Sequence, residues 1–158
     1  MEGCSVSRST EEILTLLPHR PPFLFLDEIL ERDSQHIKAA KTLHPDEPYL
    51  AGHYPGRPIM PGVLICECVF QAGAALLFGR GGLDPQRVPV LTKIQNARFR
   101  RPVFPGAKLV IEVEIAEEIG PALIMKGSVS VNGQNVLRTE FVVAMADIGE
   151  GPDIRGLA

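Results

Sequence analysis

Strict alternation of apolar and polar residues dominates the C-terminal half of the chain. Between Lys108 and Glu117, apolar residues occupy every second position from Leu109 to Ile115, which is the period of a half-buried strand. Two further segments alternate in the same way, with apolar positions at Leu123, Met125, Val129 and Val131 and at Leu137, Phe141, Val143 and Met145. Asn132–Gly133 separates these two segments and is typical of a two-residue hairpin turn. The pattern predicts an antiparallel meander of three strands.

The remaining pattern predicts one short helix and three less regular strands. Thr10 to Leu17 reads as the helix, ended by Pro18. Apolar runs predict strands from Phe23 to Leu30, from Gln35 to Leu43 and from Lys93 to Arg101.

One long helix, Val63 to Phe78, is apolar on nearly every side and follows a stretch rich in Pro and Gly, residues 44–62. A helix of that composition is typically buried, and an antiparallel sheet needs a cover for its apolar face. We therefore expect an α+β fold in which the sheet wraps around this helix. The segment is shorter than a membrane span and carries Glu67 and Gln71 near its middle, so we expect no membrane partner.

Composition is that of one ordinary globular domain. The chain has 158 residues, of which 45% are hydrophobic and 22% charged, with a formal net charge of −3. We expect one domain over residues 1–148 and a flexible tail over 149–158. No long basic run indicates a nucleic-acid partner, and no apolar signal segment opens the chain, which favours a cytoplasmic location. Three cysteines, Cys4, Cys66 and Cys68, form no disulfide framework and are expected to be free thiols.

Glu67 is the only charged residue between Val63 and Phe78, and Gln71 lies four residues later on the same helical face. A carboxyl group among apolar residues is expected to favour its protonated form, as a general acid requires. The alternative is that the Glu67–Gln71 edge of the helix simply meets water.

His53 and Gly62 are further candidates, both in the stretch before the helix. A loop histidine can be a general base, although most are surface residues or hydrogen-bonding anchors. Gly62 follows Pro61 at the helix start, where free N–H groups can bind a developing oxyanion, or it is only a turn residue. No histidine has metal-ligand spacing, so we expect no metal. Signatures of Ser or Cys nucleophiles and of nucleotide-binding loops are absent.

Three strings of the chain resemble the FabZ-type dehydratases of type II fatty-acid synthesis. GHYPGRPIMPGVLICECVFQAG is similar to their central signature, LPHRPPFLFLDEILE to their N-terminal block and ARFRRPVFPGAKL to their third block. The strings lie in the family's order. The resemblance implies the hotdog fold, an antiparallel sheet wrapped around one long central helix, which agrees with the layout expected from the patterns alone.

The resemblance also implies a mechanism. His53 would be the general base and Glu67 the general acid in converting a (3R)-hydroxyacyl thioester of acyl carrier protein to the trans-2-enoyl thioester. Gly62 would bind the thioester carbonyl through its N–H, and no cofactor would be needed. Gln71 would orient Glu67, and Val63, Phe70 and Ala74 are candidates to line the acyl tunnel. Related isomerising dehydratases carry aspartate where this chain has Glu67, which favours the non-isomerising branch.

Partners follow from the same resemblance. It implies a homodimer in which His53 of one chain faces Glu67 of its partner, with a trimer of dimers as a further assembly. Arg98 and Arg100 share one face of their predicted strand and are candidates to dock the acidic carrier; the alternative is ordinary solvated surface.

Three positions depart from the family pattern, and two other functions remain open. Tyr54 and Pro21 replace a common phenylalanine and a common tyrosine, and Val90–Leu91 replace an aromatic pair at the tunnel mouth, which leaves chain-length preference open. A hotdog thioesterase is the alternative enzyme, and a non-catalytic acyl-binding scaffold is the third possibility.

Overall fold

The computed structural model describes residues 8–81, 84 and 86–147. These residues form α1 (Arg8–Leu16), β1 (Glu28–Arg32), β2 (His36–Thr42), a 3-10 helix (Pro48–Leu50), α2 (Gly62–Gly79), β3 (Arg87–Phe99), β4 (Lys108–Ile119), β5 (Ala122–Val131) and β6 (Gln134–Asp147). The α+β class expected from the sequence is confirmed. Cys4 and the expected tail, residues 149–158, lie outside the described residues.

All six strands form one antiparallel sheet in the order β1-β2-β4-β5-β6-β3. The consecutive strands β4, β5 and β6 are the predicted meander. Within the described residues, β3 pairs only with β6 and β1 only with β2, so these two strands form the edges of the sheet. The β3 edge is 13 residues long, whereas the β1 edge has 5.

The alternating pattern of β4 places its apolar residues toward the core as predicted. Leu109, Ile111 and Val113 are at most 1% exposed, while Glu112 and Glu114 on the other face are exposed. The turn between β5 and β6 is the predicted hairpin turn. Asn132 and Gly133 have φ angles of 51° and 74°, the left-handed backbone of a type I′ turn.

The long helix α2 packs on the inner face of the sheet and contacts five of its strands, β2 to β6. Its core-facing side is buried at Ile65, Cys68, Val69, Ala72 and Leu76. By length and hydropathy α2 could cross a membrane, but 56% of it is buried inside the fold, as expected of a core helix.

Gly127 on β5 allows α2 to approach the sheet closely. A β-carbon at this position would overlap the Cγ1 methyl of Val69. Gly73 on the helix has a similar role, because a β-carbon there would lie 3.1 Å from the ring of Phe141 on β6. These two glycines set the spacing between the helix and the middle of the sheet.

Two predicted strands have different bounds in the structure. The prediction of one strand from Phe23 to Leu30 is wrong, because β1 begins only at Glu28. The backbone before Glu28 forms a hydrogen bond with the Gln71 side chain instead: Phe25 N–H donates to Gln71 Oε1 at 2.8 Å. The strand predicted from Lys93 begins six residues earlier, at Arg87, because residues 87–91 pair with the end of β6.

Candidate active site

His53 lies in the Pro- and Gly-rich loop between the 3-10 helix and α2, where it is partly buried. Its Nδ1 atom is 2.9 Å from the carbonyl oxygen of Ile59. Because a carbonyl can only accept, Nδ1 carries the proton of the neutral ring, and the lone pair is on Nε2. A free lone pair on a fixed imidazole is what a general base requires.

The backbone around His53 is held by local bonds. His53 N–H donates to Leu50 O at 3.2 Å, and the next residue, Tyr54, has a left-handed φ of 55°. The Tyr54 ring packs edge-on against His53 with 4.8 Å between centroids and is 63% exposed. The hydroxyl that distinguishes Tyr54 from the family's phenylalanine thus belongs to a surface side chain.

A buried lysine, missed in the sequence, anchors the start of this loop. Lys41 on β2 is 5% exposed, and its Nζ lies 2.6 Å from Glu47 Oε1 and 3.5 Å from Asp27 Oδ1. Burial acts to lower the pKa of Lys41, but its hydrogen bond to Glu47 and the charge of Asp27 outweigh burial, and the pKa is raised. The charged ammonium therefore fixes the segment that leads into the His53 loop.

Glu67 lies on the less buried side of α2, with its side chain 22% exposed. Its Oε1 atom accepts a hydrogen bond from Gln71 Nε2 at 3.1 Å. Gln71 is 1% exposed, so the edge formed by Glu67 and Gln71 is not a simple solvated face. A second side chain approaches the same oxygen, since His19 Nε2 lies 3.9 Å from Glu67 Oε1.

Gly62 is the first residue of α2, and Pro61 precedes it. The first helical hydrogen bonds run from the N–H groups of Leu64 and Ile65 to Pro61 O. The N–H groups of Gly62 and Val63 accordingly have no acceptor within the described part of the chain, as is usual for a helix start. The Phe99 ring covers Gly62 so closely that a β-carbon there would lie 3.1 Å from Phe99 Cε1.

Incompletely buried apolar side chains of α2 and β3 form an apolar surface, called the trough below, on the side of α2 that carries Glu67. One wall is the incompletely buried stripe of α2, formed by Val63, Phe70, Ala74 and Phe78. The other wall is the inner face of β3, formed by Leu91, Ile94 and Phe99, which are 38%, 49% and 51% exposed. These three β3 residues pair with buried residues of β6, so they point to the same face of the sheet as the core.

Cys66 and Cys68 flank Glu67 in sequence and are free, buried thiols. Burial raises the pKa of the Cys66 thiol, and the negative charge of Glu67 raises it further. Burial also raises the pKa of Cys68. Both thiols are therefore protonated at neutral pH and poorly suited to act as nucleophiles.

Within a single chain, the structure does not bring the two candidate catalytic residues into contact. Among the described residues, His53 and Glu67 share no hydrogen bond or ion pair. The imidazole beside Glu67 is His19, which the sequence did not distinguish from His36 and His44.

Arg98 and Arg100 lie on the opposite face of the sheet from Phe99. Both are exposed and line an open groove of about 700 Å³ together with Arg138, whereas Arg101 does not. Arg98 is directly opposite Arg138 in the β3–β6 register. Within the described residues none of these three arginines has an ion pair. Lys126, Glu112, Glu114 and Glu140 line the same groove, so its charge is mixed, with the three arginines grouped at one end.

Comparison with known proteins decides the family. The model of the family described as "FabA-like domain" matches residues 17–140. The chain belongs to the FabA-like family. Within it, this FabA-like chain is a FabZ-type dehydratase: the 3-hydroxyacyl-[acyl-carrier-protein] dehydratase FabZ of Myxococcus xanthus is 42% identical over 138 residues, covering 86% of this chain and 90% of that protein. The FabZ protein of Proteus mirabilis is also 42% identical, covering 85% and 91%.

Solved structures confirm the hotdog fold of this FabA-like chain. The dehydratase heterocomplex ApeI:P from Xenorhabdus doucetiae superimposes with a TM-score of 0.74 at 18% identity, covering 86% of this chain and 91% of that one. A hypothetical thioesterase with coenzyme A from Streptococcus pneumoniae gives a TM-score of 0.61 at 16% identity, covering 76% and 85%. At such identities the likeness concerns the fold alone.

Proposed function

We propose that the chain removes water from (3R)-hydroxyacyl-[acyl-carrier-protein] to give the trans-2-enoyl thioester in the cytoplasmic type II pathway of fatty-acid synthesis. The observation that carries the proposal is the setting of Glu67. It is a carboxyl group held by a buried amide at the side of an uncovered apolar trough, in a chain 42% identical to FabZ dehydratases.

The chemistry follows from three groups. The N–H of Gly62 donates to the thioester carbonyl oxygen and stabilises the negative charge that develops there. Nε2 of His53 removes an α-proton, since its Nδ1 proton is already committed to Ile59 O. Protonated Glu67 donates to the β-hydroxyl, which leaves as water while the α,β double bond forms. The reaction needs neither an electron acceptor nor a nucleophile.

The trough is the proposed site of the acyl chain. Val63, Phe70 and Ala74 are proposed to line it, because they are incompletely buried on α2 and the start of this helix approaches Phe99 of β3. Apolar walls favour a hydrocarbon chain by removing its surface from water. Val90 and Leu91, which replace the family's aromatic pair, lie in the N-terminal part of β3 and are 37% and 38% exposed. Leu91 is part of the trough wall.

A homodimer would complete the site. His53 and Glu67 do not meet within one chain, the trough is uncovered, and β3 is a long free edge with exposed apolar residues. A second copy related by a two-fold axis could pair along β3, cover both troughs and bring His53 of each chain to Glu67 of the other. A trimer of such dimers remains the assembly that the family resemblance implies.

Arg98 and Arg100 are proposed to dock the acidic carrier protein. They lie at the end of β3 where Phe99, on the other face of the sheet, covers Gly62, so the thioester of a carrier bound there would reach Gly62 around the β3 edge. Three arginines without ion-pair partners in the described chain attract an acidic surface at long range.

A product assay tests the proposed function against its alternatives. Purified protein is given a (3R)-hydroxyacyl-carrier thioester, and enoyl thioester and free thiol are both quantified by mass spectrometry. We expect the enoyl thioester. Free carrier thiol would instead identify a thioesterase, and binding with neither product would identify an acyl-binding scaffold.

A further inference from the structure

The side-chain amide of Gln71 has only one orientation that satisfies its neighbours. Phe25 N–H donates to Gln71 Oε1 at 2.8 Å, which fixes that end of the amide as the oxygen. Nε2 therefore faces the other way, where it donates to Phe23 O and to Glu67 Oε1, both at 3.1 Å. Because Nε2 can only donate, Glu67 Oε1 must be an acceptor whether or not the carboxyl group is protonated.

His19 approaches the same oxygen from the segment after α1. Its backbone is held in place by Arg20, whose guanidinium donates to the carbonyl oxygens of Leu14, Leu17 and His19 at 2.6–3.0 Å. The imidazole stacks on Phe23, with 6.2 Å between ring centroids and 26° between the planes. This places Nε2 at 3.9 Å from Glu67 Oε1, beyond hydrogen-bond distance but close enough for an electrostatic contact.

The other ring nitrogen of His19 determines which tautomer is favoured. Nδ1 is buried and has no hydrogen-bond partner among the described residues. A buried N–H without a partner is rarer in proteins than an unsatisfied acceptor, so the neutral ring is favoured with its proton on Nε2. That tautomer directs an N–H group at Glu67 Oε1, and a small rotation of the partly exposed Glu67 side chain would complete the hydrogen bond.

We propose that His19 is a positioning residue for the dehydration: with Gln71 it holds Glu67 Oε1 as an acceptor, so that Oε2 carries the proton given to the substrate. The inference rests on the proposed role of Glu67 as the general acid. Two donors directed at Oε1 favour the proton on Oε2, and they stabilise the negative charge of the carboxylate when that proton has left. The carboxyl group thus keeps one orientation throughout the turnover.

The test compares His19→Phe, which keeps a ring to stack on Phe23, with His19→Gln, whose Nε2 reaches a similar place and can donate. Turnover is measured with a small (3R)-hydroxyacyl pantetheine thioester, so that carrier docking does not contribute. We expect His19→Phe to lower kcat by ~10-fold with KM nearly unchanged, which is the effect of losing one hydrogen bond to a charged group. His19→Gln should recover most of the loss, and His44→Phe, which removes an exposed histidine, is the matched control.

Each other outcome has a defined meaning. Unchanged kcat in His19→Phe, an equal loss in His19→Gln, or a rise in KM alone would overturn the positioning role. If His19→Phe does not fold, as judged by its melting curve, His19→Leu takes its place in the same comparison. Glu67→Gln is measured in parallel. An active Glu67→Gln protein would refute Glu67 as the acid. An inactive Glu67→Gln protein together with fully active His19 variants would refute only the positioning role of His19.

Discussion

At the residue scale, two side chains with different surroundings are assigned complementary roles. His53 has one nitrogen committed to a backbone carbonyl and the other free, whereas Glu67 has one oxygen committed to an amide and the other free. Each group is thus oriented by one atom and reactive through the other. The two assignments lead to the first prediction.

His53→Ala and Glu67→Gln should each lower kcat by ~10²–10⁴-fold, because each removes one proton-transfer group from the transition state. Both residues are partly exposed, so the melting temperature should change little. Enoyl product formed per unit time is the measurement, and His44→Ala is the control for loss of a loop histidine. Near-normal turnover in either folded variant would contradict its assigned role.

At the element scale, the close approach of α2 to the sheet depends on the absence of a side chain at Gly127. Gly127→Ala should lower the free energy of unfolding by about 1–3 kcal/mol, because the new methyl overlaps Val69. Urea unfolding at fixed protein concentration measures the change. Gly52→Ala is the matched control, since its β-carbon meets no atom within 4 Å and the substitution should be nearly neutral.

A double-substitution cycle shows whether the overlap with Val69 is the cause. Val69→Ala alone should lower the free energy of unfolding by about 2 kcal/mol, because apolar surface is no longer buried and a small cavity forms. In the protein with both Gly127→Ala and Val69→Ala, the new methyl fills part of that cavity. The free energy of unfolding should then fall by about 1 kcal/mol or more less than the sum of the two single losses. Strict additivity would mean that another contact limits the size of residue 127.

The exposed face of β3 gives a prediction about the carrier. Charge reversal at Arg98 and Arg100 should raise KM for carrier-linked substrate far more than for a pantetheine thioester, because only the carrier surface is acidic. Arg101→Glu, outside the groove, is the control for Arg98→Glu and for Arg100→Glu measured singly, because each of the three changes the charge by the same amount. An equal loss on both substrates would mean that the arginines act on the site itself.

The sequence predicted most elements because their signals are local. The alternation of β4, β5 and β6 and the turn at Asn132–Gly133 depend on neighbouring residues, and these predictions are confirmed. The run from Phe23 was misassigned because its backbone partner is Gln71, 46 residues beyond Phe25 in the chain. His19 was missed for the same reason, since its proximity to Glu67 arises only from packing of the segment after α1 onto α2.

At the scale of the whole molecule, one chain is an incomplete enzyme in the proposed scheme. The trough is open, the β3 edge is unpaired in the described chain, and the two catalytic candidates share no hydrogen bond or ion pair there. A long edge strand with exposed Leu91 and Ile94 would favour aggregation in a monomer, which gives a second reason for it to be covered.

Mixed dimers test the shared site directly. Inactive His53→Ala and inactive Glu67→Gln proteins are refolded together, so that one site of each mixed dimer collects both substitutions and the other has neither. Random pairing makes about half of the dimers mixed, and roughly a quarter of wild-type activity should return. Verified mixed dimers that remain inactive would show that each chain carries its own pair.

A site completed only in the proposed dimer also makes the catalytic output depend on the abundance of the protein. If only dimers turn over, activity per chain is constant well above the dissociation constant of the dimer and falls once the concentration drops below it. In that dilute range, total activity rises with the square of the amount of chain instead of in proportion to it. A cell that halves its supply of this protein would then lose three quarters of the flux, so mass action alone would make a modest change in expression a strong control on the pathway.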